Sequence, residues 1–410
     1  MLDYHGDDIV FPSNFVVDLN YSTIKMMQCV DLQFKDGINI KNCINTHIIN
    51  GKIYGNYENF DFETAKELQG IEIPAEGLSI TTMHSSLYCS YDNVEVAYNT
   101  GYNFNIGRDT NNDTYTSASW DFSNNVAIRY GKEVTCEGMI TSGYVPISVF
   151  NSRKEFQISK AFGYGKYIGI AEMFVHFYSD SKYLCTIKTR QFQRIKIPTD
   201  KATKIRITCF SIDDNSVYNE LRAHYVGKCI NCALNNIYAH DTRTTTLTPT
   251  HVNNLVVDNF VYDRISLEKK YHVTPILADF EDGWENALNV FIENMRPRKK
   301  KYVGGSVGSD SFCIHALYNI VIDNCKFKLY SLKRVKGLLM KNSQQTGLYS
   351  VNSTSDKNNQ SHIMFYNTKV DGWEFGNPIE GDGNLKFENC RIGQDFNEER
   401  AEKTNCSIGW

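Results

Sequence analysis

Proline, alanine and charge of one sign are all scarce in this chain. Only 8 of its 410 residues are Pro, while 25 Tyr and 23 Phe lift the aromatic share to 13%. Few strong helix formers among abundant Asn, Ser and Thr exclude a mainly helical protein and indicate strands and turns. The formal net charge is -4, so the concentrated positive field that nucleic acid needs is missing. No stretch reaches the ~18 apolar residues of a membrane span. Residues 1–20 lack the basic start and apolar run of a secretory signal. Twelve cysteines are too sparse for a disulfide scaffold. Cys229-x-x-Cys232 has metal spacing, but no second pair follows, so no metal site is expected. Neither a Gly-x-Ser-x-Gly elbow nor a His-Glu-x-x-His motif occurs, which removes support for serine hydrolases and zinc proteases.

What the chain does contain is a short repeat, the first thing to seek in a sequence of this length. Two apolar residues flank a third, and Asn follows one residue later. Copies are Ile38-Asn39-Ile40-Lys41-Asn42, Leu255 to Asn259, Val290 to Asn294, Ile320 to Asn324, Leu338 to Asn342, Ile363 to Asn367 and Leu385 to Asn389; a looser one is Val94 to Asn99. From Asn259 onward the asparagines are 35, 30, 18, 25 and 22 residues apart. That scatter suits coils with loops of variable length. Strands so short, without tight hairpins between them, are satisfied by parallel stacking on the next coil. Asn then closes each strand in left-handed geometry, with amides stacked along the axis. Cysteine recurs after Asn, as in Asn42-Cys43, Asn231-Cys232, Asn324-Cys325, Asn389-Cys390 and Asn405-Cys406. Reduced thiols in a repeated buried position account for this. The expected fold is all-β: a right-handed parallel β-helix carrying an inserted antiparallel β-sandwich.

The insertion is placed at residues 130–216, between β-helix segments 1–129 and 217–410. There the repeat gives way to longer alternating runs, Tyr167 to Tyr178, Arg194 to Pro198 and Lys204 to Phe210. Period-2 alternation of this kind marks half-exposed antiparallel strands. An accessory role, such as carbohydrate binding or spacing, is expected of the sandwich.

Two segments concentrate chemistry. Asp279, Glu281, Asp282 and Glu285 crowd around Trp284. Mutual repulsion of carboxylates raises one pKa, the requirement for paired acid and base on a glycosidic bond. Asp279, Glu281 and Asp282 are therefore the expected catalytic groups, with Trp284 and Glu285 holding substrate. In the second segment His240, Asp241 and Arg243 are suited to orienting a sugar or its developing charge. Neighbours on a strand point to opposite faces, so His240 and Asp241 are not expected to couple directly without a turn, and the segment reads as a polar loop. Asp310 and His315 are further substrate candidates one coil later, and Tyr54, Tyr57, Asp61 and Glu63 lie in an early loop. The run Arg296-Pro297-Arg298-Lys299-Lys300-Lys301 reads as a solvated loop.

Phe11 to Lys25, opening Phe11-Pro12-Ser13-Asn14-Phe15, resembles the first coil of pectate-lyase-like β-helix proteins of bacteriophage tails. His47 to Tyr57 is similar to their following coil, and Ala278 to Trp284 to an acidic stretch. The resemblance implies a tail fibre or tailspike protein, assembled in the bacterial cytoplasm and acting outside the cell on the virion tail. Its implied partners are bacterial surface polysaccharide and other tail proteins, with a homotrimeric assembly. Its implied activity is cleavage of that polysaccharide by a hydrolase or lyase in a lateral groove. The calcium-holding Asp set and Arg base of pectate lyases are not matched, so no cofactor is expected. A non-catalytic receptor-binding tail protein is the alternative, and a cellular polysaccharide-degrading enzyme a second.

Overall fold

The computed structural model describes residues 9–25, 37–55, 57, 81–99, 101–107, 114–115, 121–150, 155–160, 173–189, 194–210, 221–224, 229–242, 245–250, 252–265, 276–280, 287–298, 311–315, 317–333, 335–345, 350–351, 361–370, 374–375, 385–393 and 401–409. The chain divides into two compact units, Met1–Arg108 with Gly227–Trp410, and Asp109–Val226.

The first unit is a parallel β-helix. Among the described residues its two large sheets have 12 and 13 strands, each pairing in parallel with the strand one coil away. The 13-stranded sheet contains Thr46–Tyr54, Ser90–Asn99, Cys229–Thr242 and Val252–Ile265, followed by shorter strands down to Glu402–Thr404. Its register stacks like side chains on like. Ile48, Tyr91, Leu234, Val257, Ile292, Ile322, Met340, Phe365 and Phe387 form one inward column. All are at most 1% exposed. The rings of Phe365 and Phe387 stack at 4.9 Å. Full burial of such a side chain stabilises by roughly 1.5–3 kcal/mol, and the column joins every coil to both neighbours.

Two residues after that column the chain turns a corner. Asn50, Asn93, Asn236, Asn259, Asn294, Asn324, Asn342, Asn367, Asn389 and Asn405 occupy it, all with φ between 47° and 57°. Most L-residues lose about 1–2 kcal/mol in this left-handed region, which Asn tolerates best after Gly. Their amides also satisfy one another. Asn93 donates to Asn50 at 2.9 Å, Asn259 to Asn236 at 3.0 Å, Asn324 to Asn294 at 2.7 Å and Asn367 to Asn342 at 2.8 Å. The expected Asn closure and amide stacking are both present. In the looser copy, however, the left-handed residues are Asn93 and Tyr98 rather than Asn99.

The residue after a corner Asn is often a small donor facing inward. Cys325, Cys390 and Cys406 donate from Sγ to the carbonyl two residues back, at 3.1, 3.3 and 3.4 Å. Ser343 and Thr368 do the same through their hydroxyls. Burial pushes the Cys325 thiol up to about 12 and Cys390 to about 11, so these thiols are protonated and unreactive at neutral pH.

The second unit is a sandwich of two antiparallel sheets. One contains Phe122–Arg129, Lys132–Ser142, Lys204–Phe210, Met173–Ser179 and Lys182–Thr189; the other contains Glu155–Lys160 and Arg194–Lys196. Val175, Phe177, Ile205 and Ile207 from the first meet Phe156, Ile158 and Ile195 from the second in one core. On the other face of the first sheet His176 lies between Thr186 (2.7 Å) and Thr208 (2.9 Å).

Candidate functional site

The corner Asn gives the β-helix a coordinate. The second and fourth residues after it point outward, because the first and third are buried. In successive coils these outward pairs are Lys52 and Tyr54, Glu95 and Ala97, Tyr238 and His240, Val261 and Asp263, then Arg296 and Arg298. Five strands from distant parts of the sequence thus place tyrosines, a histidine, carboxylates and cations on one lateral face.

Ala97 is what allows them to meet. It lies between Tyr54 and His240 in register, and its methyl is the smallest side chain of that row. Tyr54 and His240 each reach diagonally to Glu95, the cross-strand neighbour two residues away. Tyr54 donates its hydroxyl to Glu95 Oε1 at 2.5 Å, and His240 Nε2 lies 3.2 Å from the same oxygen. Lys52 Nζ pairs with Glu95 Oε2 at 3.0 Å.

The far ring nitrogen of His240 is held as well. Nδ1 lies 2.6 Å from Asp241 Oδ2, and Asp241 is 1% exposed. The expectation that adjacent strand residues would face apart is corrected here, as is the reading of the segment as a loop. His240 and Asp241 belong to strand Cys229–Thr242, and Asp241 is left-handed, φ 45°. One left-handed residue breaks the two-residue alternation and brings both side chains to the same side. Asp241 stacks in register with Gly55 and Tyr98, Tyr98 also being left-handed at φ 60°. A Cβ on Gly55 would lie 2.2 Å from the Tyr98 carbonyl oxygen, so this second corner closes only with glycine there.

Aromatic rings frame the imidazole. Tyr238 stacks on it at 4.5 Å and Tyr98 meets it edge-on at 5.7 Å; the Tyr54 ring in turn meets that of Tyr98 edge-on at 5.2 Å. Arg298 covers the outer face of Tyr238 at 4.8 Å and donates to its hydroxyl at 2.5 Å. The reading of Arg296–Lys301 as a solvated loop is therefore corrected for its first part. Arg296–Pro297 is a strand paired with Val261 and Tyr262, and Lys299 to Lys301 lie outside the described residues.

The protonation pattern follows from these contacts. Burial pushes the Glu95 carboxyl up, but donors from Tyr54, Lys52 and His240 outweigh it and leave Glu95 below its ordinary value. Burial first, then the hydrogen bond and charge of Glu95, push the Tyr54 phenol well above its ordinary value. The cluster therefore holds an ionised carboxylate against a phenol that keeps its proton. With carboxylates facing both ring nitrogens of His240, the two contacts are hydrogen bonds together only when the cluster carries a proton beyond the neutral ring. Asp241, buried beneath, orients the ring, while Glu95 is the carboxylate of this set that reaches the surface, its side chain 22% exposed. Such a cluster can move protons at a bound ligand's hydroxyl or leaving oxygen.

The residues expected from sequence are distributed differently. Asp279 lies in strand Ile276–Phe280 of the 12-stranded sheet, apart from the sheet of His240 and Asp241. His315 ends strand Ser311–His315 in that same 12-stranded sheet. Glu281, Asp282, Trp284, Glu285, Arg243 and Asp310, together with Asp61 and Glu63, lie outside the described residues. Tyr54 ends a strand rather than sitting in a loop. Lys52, Glu95, Tyr98 and Tyr238 were not singled out from sequence, and Arg298 only as part of the basic run. Among the described residues no group of three His, Cys, Asp or Glu is arranged to hold a metal ion.

No protein-family model matches the chain, and no curated protein matches it at a significant level. Among solved structures it is similar to the A-module of the Azotobacter vinelandii mannuronan C-5 epimerase AlgE4. That likeness has a TM-score of 0.46 and 9% identity, over 98% of this chain and 80% of the other. A glycoside hydrolase is similar at a TM-score of 0.22 and 7% identity, over 92% and 89%.

Proposed function

We propose that the chain is a polysaccharide-acting β-helix whose working centre is the cluster of Glu95, His240 and Tyr54 on its lateral face. The observation that carries this reading is the bridged imidazole: His240 bonded to buried Asp241 on one side and to partly exposed Glu95 on the other. A carboxylate held ionised, a phenol held protonated and an oriented imidazole can serve as base and acid at a sugar hydroxyl or leaving oxygen. Tyr54 and Tyr98 supply aromatic surface for sugars beside the cluster. Within this cluster Asp241 and Asp263 are buried. Cleavage by two surface carboxylates is thus not what it offers, and a relay through Glu95, His240 and Tyr54 is.

The test is incubation with purified surface polysaccharides of bacteria, following new reducing ends and the ultraviolet absorbance of an unsaturated product. Glu95→Gln, His240→Asn and Tyr54→Phe are each expected to lower the rate by about 10²-fold or more. Wild-type rates in all three would remove the cluster from the chemistry. The triple change Asp279→Asn, Glu281→Gln and Asp282→Asn examines the competing acidic stretch. Binding of the right polysaccharide with no new ends would make the face an adhesive surface.

We extend this reading to a tail fibre or tailspike acting on bacterial surface glycan, supported by the resemblance of Phe11 to Lys25 and His47 to Tyr57. Co-sedimentation of the chain with purified tail particles is the expected result; its absence from them would discard the virion role and leave the glycan chemistry untouched.

A further inference from the structure

The outward position two residues after the corner Asn continues beyond the cluster, and there its character changes. From the coil of Arg296 it passes to Lys326, Gln344, Lys369 and Arg391. The first step is fixed by the Lys326 amide, which donates to the Met295 carbonyl at 2.9 Å. The Gln344, Lys369 and Arg391 amides donate in the same way to the carbonyls of Cys325, Ser343 and Thr368. Cations therefore hold four of five successive rungs, with a neutral amide as the fifth. At ~4.8 Å per strand the column from Arg296 to Arg391 is about 19 Å long. Arg296 and Arg391 are exposed, and Lys326 and Lys369 partly so.

We infer that this column is a binding track for an anionic polysaccharide, lying along the helix axis and leading into the Glu95–His240 cluster. The inference rests on the proposed function and adds the charge of the substrate and the direction in which it lies. The chain's net charge of -4 makes a single-sign file of this kind a local arrangement. A second column decides which polyanion fits. The residue before the corner Asn is Asp258, Glu293, Asp323, Lys341, Tyr366 and Glu388 in successive coils, all at least partly exposed, with Lys341 paired to Asp323 at 2.8 Å. Carboxylates thus hold four of these six positions beside the basic file, across the Asn ladder. A nucleic acid duplex is wide enough to cover both files and would be repelled by one. A single glycan chain is narrow enough to lie on the basic file alone.

The test is affinity electrophoresis of the whole chain in gels holding polygalacturonate or dextran sulfate, against carboxyl-reduced polygalacturonate and plain dextran. Retention is expected on at least one charged polymer and on neither neutral one. Arg296→Gln, Lys326→Gln and Arg391→Gln together should weaken it about tenfold, as expected when several exposed charge contacts are lost. The control Lys132→Gln, Lys182→Gln and Lys201→Gln removes as much charge from the sandwich and should leave retention unchanged. Circular dichroism of both triple variants separates lost binding from lost fold. Equal retention of wild type and the first variant, retention on neither charged polymer, or retention by duplex DNA that the first variant loses would each overturn the track. Cleavage of a neutral glycan that needs Glu95 but ignores the three cations would overturn it too, while leaving the proposed function standing. Conversely, charge-dependent retention with undiminished cleavage in Glu95→Gln would keep the track and remove the chemistry.

Discussion

Two corners of the same coil are met by different residues. At the first, Asn occupies coil after coil, each in left-handed geometry and many bonded to the amide of the neighbouring coil. At the second, five residues further on, the stacked residues are Gly55, Tyr98 and Asp241. Tyr98 and Asp241 hold left-handed geometry at φ 60° and 45°, where a non-glycine residue loses about 1–2 kcal/mol. Neither belongs to an amide ladder; the Tyr98 ring and the Asp241 carboxylate face His240 instead. A departure from the repeated residue is a place to look for a further role. The second corner departs, and it lies beneath the candidate site.

The largest effect expected from breaking this contrast is Asp241→Asn. Asn suits left-handed geometry and keeps the shape of the carboxylate, so the fold should hold, its stability falling by about 1.5–3 kcal/mol as the charge-assisted bond to His240 is weakened. The carboxylate that orients His240 is lost, and cleavage should fall by about 10²–10⁴, the range seen when an imidazole loses its orienting acid. A readout that purely structural damage would not move is the proton on His240 Nδ1, which nuclear magnetic resonance should find bonded in the wild type and released in the variant. An unchanged proton signal with unchanged rate would make Asp241 an ordinary corner residue.

The complementary break is in the ladder. Asn294 accepts from Asn324 at 2.7 Å and donates to Asp258 at 2.8 Å. Asn294→Ala loses both bonds and the left-handed preference, about 2–3 kcal/mol together. Asn294→Gly loses the bonds alone and should be milder by roughly 1 kcal/mol. Denaturant midpoints measure both. Equal losses would mean that backbone geometry is not what Asn contributes. Cleavage by either variant, where folded, should match the wild type.

The ladder was legible in sequence and the site only partly so, for one reason. A corner Asn advertises itself because it recurs with the same neighbours: apolar residues at fixed offsets before it and Cys, Ser or Thr after it. Site residues recur nowhere. Glu95 and His240 are 145 residues apart with the sandwich between them, and they meet only through parallel register. Charge crowding along the chain drew attention to Asp279–Glu285, because local density is visible without a fold. Crowding across coils is invisible until strands are aligned on the corner Asn. Once they are, the second and fourth residues after Asn50, Asn93, Asn236, Asn259 and Asn294 list the site in order. The His240–Asp241 couple failed for a related reason: alternation holds along a strand until a left-handed residue interrupts it, and an Asp in that geometry has no sequence signature.

The smallest effect, and the sharpest reading of the contrast, comes from writing the ladder residue into the second corner. Tyr98→Asn should relieve about 1–2 kcal/mol of left-handed cost. It loses ring contacts with Tyr54 at 5.2 Å and His240 at 5.7 Å, each worth about 0.5–1.5 kcal/mol. The opposing terms leave stability within about 1 kcal/mol of the wild type. Cleavage should still decline, because His240 and Tyr54 both lose the ring that limits their movement. A stability loss as large as that of Asn294→Ala would show Tyr98 to be chosen for packing, and the two corners would then differ in residue but not in purpose. Unchanged stability with impaired cleavage would place the cost of left-handed Tyr98 where the contrast puts it, in holding the imidazole against Glu95.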